Sequence, residues 1–293
     1  MENILEVYNL NKTYTDFSLS NISFALPEDC ITGFIGVNGA GKTTTIRSIL
    51  DVVKRDSGKI KIFGKDFDGN EKELKNRIGV VFDDSYFYEE LSMAEMKSII
   101  APSYDNWCEE DYQQNMKRFN LNPKQKIDTL SKGMKMKFAL ALALSHKAEF
   151  LIMDEPTSGL DPLIRSQILD ILTGYMKKCG RGVFFSTHIT SDLDKIADMI
   201  VMIDNGRIIL EREKDTLLDE HRKVKGDIQF LNDETKKLFL NLEITGYGFI
   251  GITSKINEVQ KNMPDILIEI NIEANSIIKL KRNNTIFTIM DGY

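Results

Sequence analysis

The chain has 293 residues and a formal net charge of -6, with 38 Lys and Arg against 44 Asp and Glu. Its pI near 5.3 argues against nucleic acid as the main partner, since phosphate neutralisation needs clustered basic charge. At 42% hydrophobic and 28% charged residues it can fill one large domain and a smaller one. No apolar run approaches the roughly 18 residues of a membrane span, and the acidic opening "MENILEVYNL" lacks a signal-peptide pattern, so a cytosolic chain is expected.

The first informative element is the apolar run Ile31 to Ile35, a strand followed directly by "GVNGAGKTTT", residues 36–45. Glycines without Cβ atoms let successive backbone N–H groups curl into a concave anion nest. The spacing of Gly36, Gly41, Lys42 and Thr43 fits the G-x-x-x-x-G-K-[ST] pattern, and the amphipathic "TTIRSILDVV" continues as a helix. In that strand, loop and helix order, Lys42 reaches the β and γ phosphates of a nucleotide and Thr43 offers its hydroxyl to Mg²⁺. The helix N-terminus adds about half a positive charge.

Further along, the strand "RIGVVF" ends at Asp83 and Asp84, and "SYFYEELS" and "APSYDNW" bring a run of aromatic residues. "LSKGMKMKFALALALSH", residues 130–146, sets Leu130, Ser131 and Gly133 ahead of a strongly helical run with Met134, Phe138, Leu142 and Ser145 near one face. A serine hydroxyl and glycine amides at a helix N-terminus offer a second anion site; taken alone, the same residues describe an N-capped core helix. "FLIMDEP", residues 150–156, is a buried strand with two carboxylates at its tip. Ligands of phosphate-binding α/β sheets lie beyond the carboxyl ends of the strands, so Asp154 is expected to meet Mg²⁺ and Glu155 the water attacking the γ phosphate. The glycine loop and this acid-tipped strand fit many nucleotide hydrolases, including helicases, recombinases and kinases, and the stretch at residues 130–146 is what discriminates among them. Cys30, Cys108 and Cys179 are widely separated and lack metal-ligand spacing, which suits thiols in a reducing compartment.

The ordered motifs over about residues 1–220 resemble the ATP-binding cassette (ABC) ATPases, the nucleotide-binding subunits of transporters. Tyr14 falls where that family stacks an aromatic ring on adenine. The loop containing Asn38, Gly39, Ala40, Gly41, Lys42, Thr43 and Thr44 matches its Walker A motif, "LSKGM" its signature and "FLIMDE" its Walker B. "SGLD", residues 158–161, stands at the D-loop, and "STH", residues 186–188, ends in the switch histidine. The resemblance implies an α/β P-loop NTPase fold with a mixed sheet and a helical arm subdomain, binding ATP and Mg²⁺. Lys42, Thr43 and Thr44 then bind phosphate and Mg²⁺, Asp154 binds the metal through water, and Glu155 activates the nucleophile while His188 senses the γ phosphate.

It also implies that Ser131 and Gly133 of one subunit close over the ATP of another. The implied partners are a second ABC ATPase subunit, in a homodimer or heterodimer, and an integral membrane transporter subunit. The chain is then peripheral on the cytoplasmic face of the membrane. "GxNGAGKTTT" and "SGLDP" point to an exporter. The alternative is a soluble ABC ATPase acting on ribosomes or DNA, against which stand the single cassette, the lack of long insertions and the acidity. The aromatic stretches fall in the arm facing the transmembrane subunit, where Tyr104 and Trp107 are explained equally by packing; His146 and His221 are read as surface or packing residues.

Two positions depart from the family pattern. Asp83 stands where a glutamine usually touches Mg²⁺ and water; repelled by a γ oxygen, its carboxylate is expected to turn toward metal or Lys42. Lys132 and Met134 stand where glycine and glutamine are commonest. Residues 221–293 lie outside the cassette. After a basic linker "HRKVKG" they read as strands at "KGDIQFL", "YGFIGITS", "ILIEINIE" and "SIIKLKR" and helices at "DETKKLFLNL" and "KINEVQKN". A small C-terminal α+β domain with a dimerisation or regulatory role is expected.

Overall fold

The structure, a computed structural model, describes residues 2–83, 86–263 and 266–269. Asp84 and Ser85 therefore lie outside the described residues, as do the expected strand "SIIKLKR" and the end of "ILIEINIE". The chain divides into two compact units, Met1–Glu211 and Arg212–Tyr293.

The first unit opens with β1 (Asn3–Thr13), β2 (Ser18–Pro27) and β3 (Ile31–Ile35), and the last of these leads through the glycine loop into α1 (Lys42–Ile49). Then come β4 (Ser57–Ile62), β5 (Lys65–Asp66), α2 (Glu71–Asn76) and β6 (Ile78–Val81). The arm contains α3 (Met93–Ile100), α4 (Glu109–Arg118) and α5 (Lys132–Ser145). The chain returns as β7 (Phe150–Met153), α6 (Pro162–Tyr175), β8 (Gly182–Thr187), α7 (Thr190–Ile196), β9 (Met199–Asp204) and β10 (Arg207–Glu213).

An antiparallel sheet of order β2-β1-β4-β5 lies beside a six-stranded sheet of order β10-β9-β3-β8-β7-β6. In the larger sheet β9, β3, β8, β7 and β6 are parallel. Parallel strands are covered on both faces and so read as unbroken apolar runs; β7 and β8 are buried along their whole length. Phe24, Phe34 and Phe184 meet with ring centroids 5.2 to 5.9 Å apart inside a core that includes Ile4, Leu5, Ile46 and Ile152. Burial of each such side chain is worth about 1.5–3 kcal/mol. Register pairs Ile35 with Thr187 and Met153 with Phe185, so β3, β7 and β8 end at one edge and their loops converge.

Helix starts show how local sequence serves the site. Asp161 caps α6 by accepting from the N–H groups of Leu163 and Ile164, with Pro162 in the first turn. Ser92 and Glu95 form a capping box on α3, and Ser131 Oγ accepts from Met134 N–H at 3.3 Å on α5. α1 differs: its cap is Gly41 at φ 113°, with no side-chain cap and no acid in its first turn. Its first N–H groups are left for an anion. α5 is buried continuously from Phe138 to Ala143 rather than along one stripe, because it packs between α4 and β6.

In the arm, Tyr104 stacks on His146 at 3.8 Å between ring centroids, and Trp107 lies 5.7 Å from Tyr112. His146 is buried, as is His221, whose Nδ1 lies 2.8 Å from the Leu217 carbonyl oxygen.

The second unit contains α8 (Lys214–Asp219), β11 (Arg222–Gly226), β12 (Asn241–Thr245), β13 (Gly248–Thr253), α9 (Ile256–Asn262) and β14 (Leu267–Glu269). Its antiparallel sheet has the order β12-β13-β11-β14. The expected linker "HRKVKG" is mostly β11, an inner strand whose Val224 joins Phe249, Val259 and Met263 in the core. "KGDIQFL" turns at Ile228–Phe230 instead of continuing as a strand, because Asp227 Oδ1 accepts from Gln229 N–H. "DETKKLFLNL" is one 3-10 turn, Thr235–Leu238, followed by the start of β12. There Asn232 Oδ1 accepts from the N–H groups of Glu234 and Thr235, and Phe239 drops onto Phe249 at 5.4 Å, which ends the helix early.

Candidate active site

The loop after β3 closes around Lys42. Its buried Nζ, with the side chain 6% exposed, donates to the carbonyl oxygens of Gly36 at 2.7 Å and Val37 at 3.2 Å and pairs with Glu155 Oε1 at 3.1 Å. Ala40 N–H donates to Val37 O, Gly206 N–H to Ala40 O, and Thr45 Oγ1 to Gly41 O. Gly39 and Gly41 have φ of 82° and 113°. A Cβ on Gly41 would come within 2.7 Å of Leu19 and 2.9 Å of Phe17, so this turn requires glycine twice over.

The second half of the site comes from β7 and β8. Beyond Met153 the buried Asp154 is followed by Glu155 at φ 50°, a left-handed conformation that costs a long side chain free energy unless its surroundings hold it. Ser186 of β8 supplies the hold. Its hydroxyl donates to Asp154 Oδ1 at 2.6 Å and accepts from Glu155 N–H at 2.9 Å. Glu155, with its side chain 13% exposed, divides its oxygens between two neighbours: Oε1 faces Lys42, and Oε2 lies 2.7 Å from His188 Nδ1. The following loop is fixed by Thr157 Oγ1 donating to Asp192 Oδ2, while Arg165 Nε donates to Asp192 Oδ1.

Asn38, Gly39, Gly41, Lys42, Thr43, Thr44, Asp83, Glu155 and His188 together line one cavity of about 640 Å³. Asp16, Phe17, Val37 and Ser158 complete the lining. Of the other residues singled out from sequence, Ala40 is buried inside the loop and Asp154 lies beneath Ser186. Tyr14 is 45% exposed and does not line the cavity; its ring stands 5.4 Å from Lys12 Nζ, and Asp16 and Phe17 from the same turn take the lining positions. Ser131 and Gly133 start α5, outside this cavity. Asp83 does face it, but its carboxylate pairs with Lys132 Nζ at 2.6 Å rather than turning to Lys42. The physical reason is that Lys42 is already held by two carbonyls and Glu155.

Among the described residues no group of three or more His, Cys, Asp or Glu could by itself hold a metal ion. Mg²⁺ does not need one, because it binds through one or two protein oxygens, substrate phosphates and water. The hydroxyl of Thr43 and the carboxylate of Asp154 are hard oxygen donors that suit it.

A bare helix start and a lysine-centred glycine loop at the carboxyl edge of a parallel sheet define a P-loop nucleotide-binding fold. The profile of the ABC transporter family matches residues 19–158. The bacitracin transport ATP-binding protein BcrA of Bacillus licheniformis is 31% identical over 286 residues, covering 94% of this chain and 92% of the relative. The lantibiotic transport ATP-binding protein SrtF of Streptococcus pyogenes is 30% identical over 215 residues, 72% of this chain and 92% of SrtF. A solved ATP-binding subunit of an ABC transporter superposes with a TM-score of 0.66 at 28% identity, covering 73% of this chain and 91% of that one. The chain belongs to the family of ABC transporter ATP-binding proteins. It binds and hydrolyses ATP and powers a separate membrane transporter. Among its described residues no helix is long and apolar enough to cross a membrane.

Proposed function

We propose that this chain is the ATPase subunit of a bacterial exporter, acting at the cytoplasmic face of the membrane in a pair with a second ABC ATPase subunit. The observation that carries the export reading is the BcrA match, which spans 94% of the chain and so includes much of the second unit. By the same reasoning the cargo is of the bacitracin or lantibiotic kind.

In this reading, Lys42, Thr43, Thr44 and the loop amides of Asn38, Gly39, Ala40 and Gly41 hold the phosphates. Thr43 and Asp154 would hold Mg²⁺, which supplies charge neutralisation to the β and γ oxygens when bound. Glu155 orients the attacking water and takes its proton. His188, already in contact with Glu155, reads the γ phosphate. The adenine ring falls to the 14–17 turn, where Tyr14 is exposed and Phe17 faces the cavity. Ser131 and Gly133 act at the nucleotide of the partner subunit. Residues 221–293 carry none of these groups in sequence, and the small sheet and core of their described part suit a role in holding two subunits together.

The test is affinity capture of the tagged chain from detergent-solubilised membranes, with a deletion strain assayed for sensitivity to bacitracin and to a lantibiotic. Co-purification of an integral membrane protein and increased sensitivity are expected. Capture of ribosomes or DNA, with unchanged sensitivity, would replace the exporter with the soluble alternative.

A further inference from the structure

The two departures from the family pattern, an acid at position 83 and a lysine at position 132, meet in space. Asp83 follows β6, and Lys132 is the first residue of α5; their charged atoms are 2.6 Å apart, with side chains 35% and 42% exposed. Each replaces an uncharged residue, and the two charges are opposite. Asp83 forms part of two cavities: the nucleotide cavity, and a neighbouring one of about 290 Å³ that also takes in Glu89, Lys132 and Lys135. The other charges there are matched, because Lys135 Nζ pairs with Glu89 Oε1 at 2.7 Å. A Cβ on Gly159 would lie 3.4 Å from Lys132 Nζ, so the ammonium also rests against the loop after β7.

A cation in the first turn opposes the partial positive charge of a helix N-terminus, and α5 has no acid in its first turn to offset it. Lys132 therefore weakens its own helix unless something outside compensates, and Asp83 does so. The benefit to the site is equally direct. An unpaired carboxylate on the wall of a polyphosphate cavity repels the ligand, and a cation in contact with it removes most of that repulsion.

We propose that Lys132 is a positioning residue for ATP: its ammonium neutralises Asp83 at the nucleotide cavity and ties the loop after β6 to the start of α5. This rests on the cavity being the ATP site. The pair binds no phosphate itself; it makes an acid tolerable where the phosphates lie.

The experiment is a double-mutant cycle on the full chain, measuring ATP and ADP affinity by calorimetry and thermal midpoints alongside. Lys132→Gln should weaken ATP about tenfold and ADP less, because the exposed carboxylate acts on the extra phosphate charge. Lys132→Arg should keep affinity within about twofold. Asp83→Asn combined with Lys132→Gln should restore ATP binding to within about threefold, and raising the salt should shrink the Lys132→Gln defect. If Lys132→Gln does not fold, Lys132→Met carries the same prediction. Equal loss for ATP and ADP, or a double mutant no better than Lys132→Gln, overturns the proposal while leaving the ATP site intact. A wild-type chain that binds no ATP overturns the reading of the cavity and this inference with it.

Discussion

Replacing Ser186 with alanine removes one hydroxyl that holds two adjacent acids. The bond to the Asp154 carboxylate, at 2.6 Å and wholly buried, is of the charge-assisted kind worth about 1.5–3 kcal/mol, and the bond from Glu155 N–H at 2.9 Å adds about 1 kcal/mol. The space vacated by an oxygen atom is too small for a compensating water. Ser186→Ala should therefore cost about 2.5–4 kcal/mol, which in a unit of this size lowers the thermal midpoint by roughly 5–15 °C. The functional consequence is separate. Without the hold, Glu155 relaxes from its left-handed conformation and its carboxylate drifts; misplacement by about 1 Å can cost on the order of 10² in rate. ATP binding should survive, because the Gly36 and Val37 carbonyls that hold Lys42, and the loop amides beside them, do not depend on Ser186. Differential scanning fluorimetry, phosphate release and calorimetry with ATP resolve the three effects. Turnover within twofold of wild type and a midpoint within about 1 °C would refute this account of how the acids are held.

Three further outcomes follow from the same geometry. Burial pushes the His146 imidazole down to about 4 from the usual 6.5, and its Nε2 has no hydrogen-bond partner among the described residues. Because the folded value is depressed, the stabilisation is full above about pH 6.5 and is lost as pH falls toward 4, by up to about 3 kcal/mol; His146→Leu should flatten urea-determined stability across that window, and an unchanged slope would contradict this. Asp161→Ala should remove the α6 cap at a cost of about 1 kcal/mol, read as a lower urea midpoint at constant m value; no shift would place the start of α6 under other control. A chain ending at Glu220 should bind ATP but lose ATPase activity on dilution and recover it when concentrated, whereas the same dilution curve as full length would remove subunit pairing as the role of residues 221–293.

The cassette was legible in the sequence because its chemistry is contiguous. Gly36 to Gly41 form a loop whose residue types leave few conformations before α1 begins at Lys42, and the four apolar residues before Asp154 state both burial and direction. Tyr14 and Phe17 share one turn, and an aromatic position in the sequence does not say which ring faces the cavity; Phe17 lines it, and Tyr14 is exposed. Ser186 was hidden because a serine in "GVFFST" looks incidental until β8 lies beside β7. Asp83 and Lys132 were each visible as unusual residues, but their pairing depends on how the arm sits against the sheet edge. In the second unit, short segments misled. "DETKKLFLNL" has helical composition, yet side-chain bonds at Asn232 and the burial of Phe239 fix a turn and a strand, and the lysines of "HRKVKG" concealed the inner strand around Val224.

In the proposed function, hydrolysis turns on Glu155 activating water against ATP held by the Lys42 loop. Glu155→Gln keeps the shape of the side chain and removes the base, so the direct measurement is ATP binding and phosphate release on the same preparation of that variant. The geometry predicts ATP binding close to wild type, hydrolysis slower by about 10² or more, and paired subunits accumulating on size exclusion with ATP and Mg²⁺. Undiminished phosphate release from Glu155→Gln would contradict it.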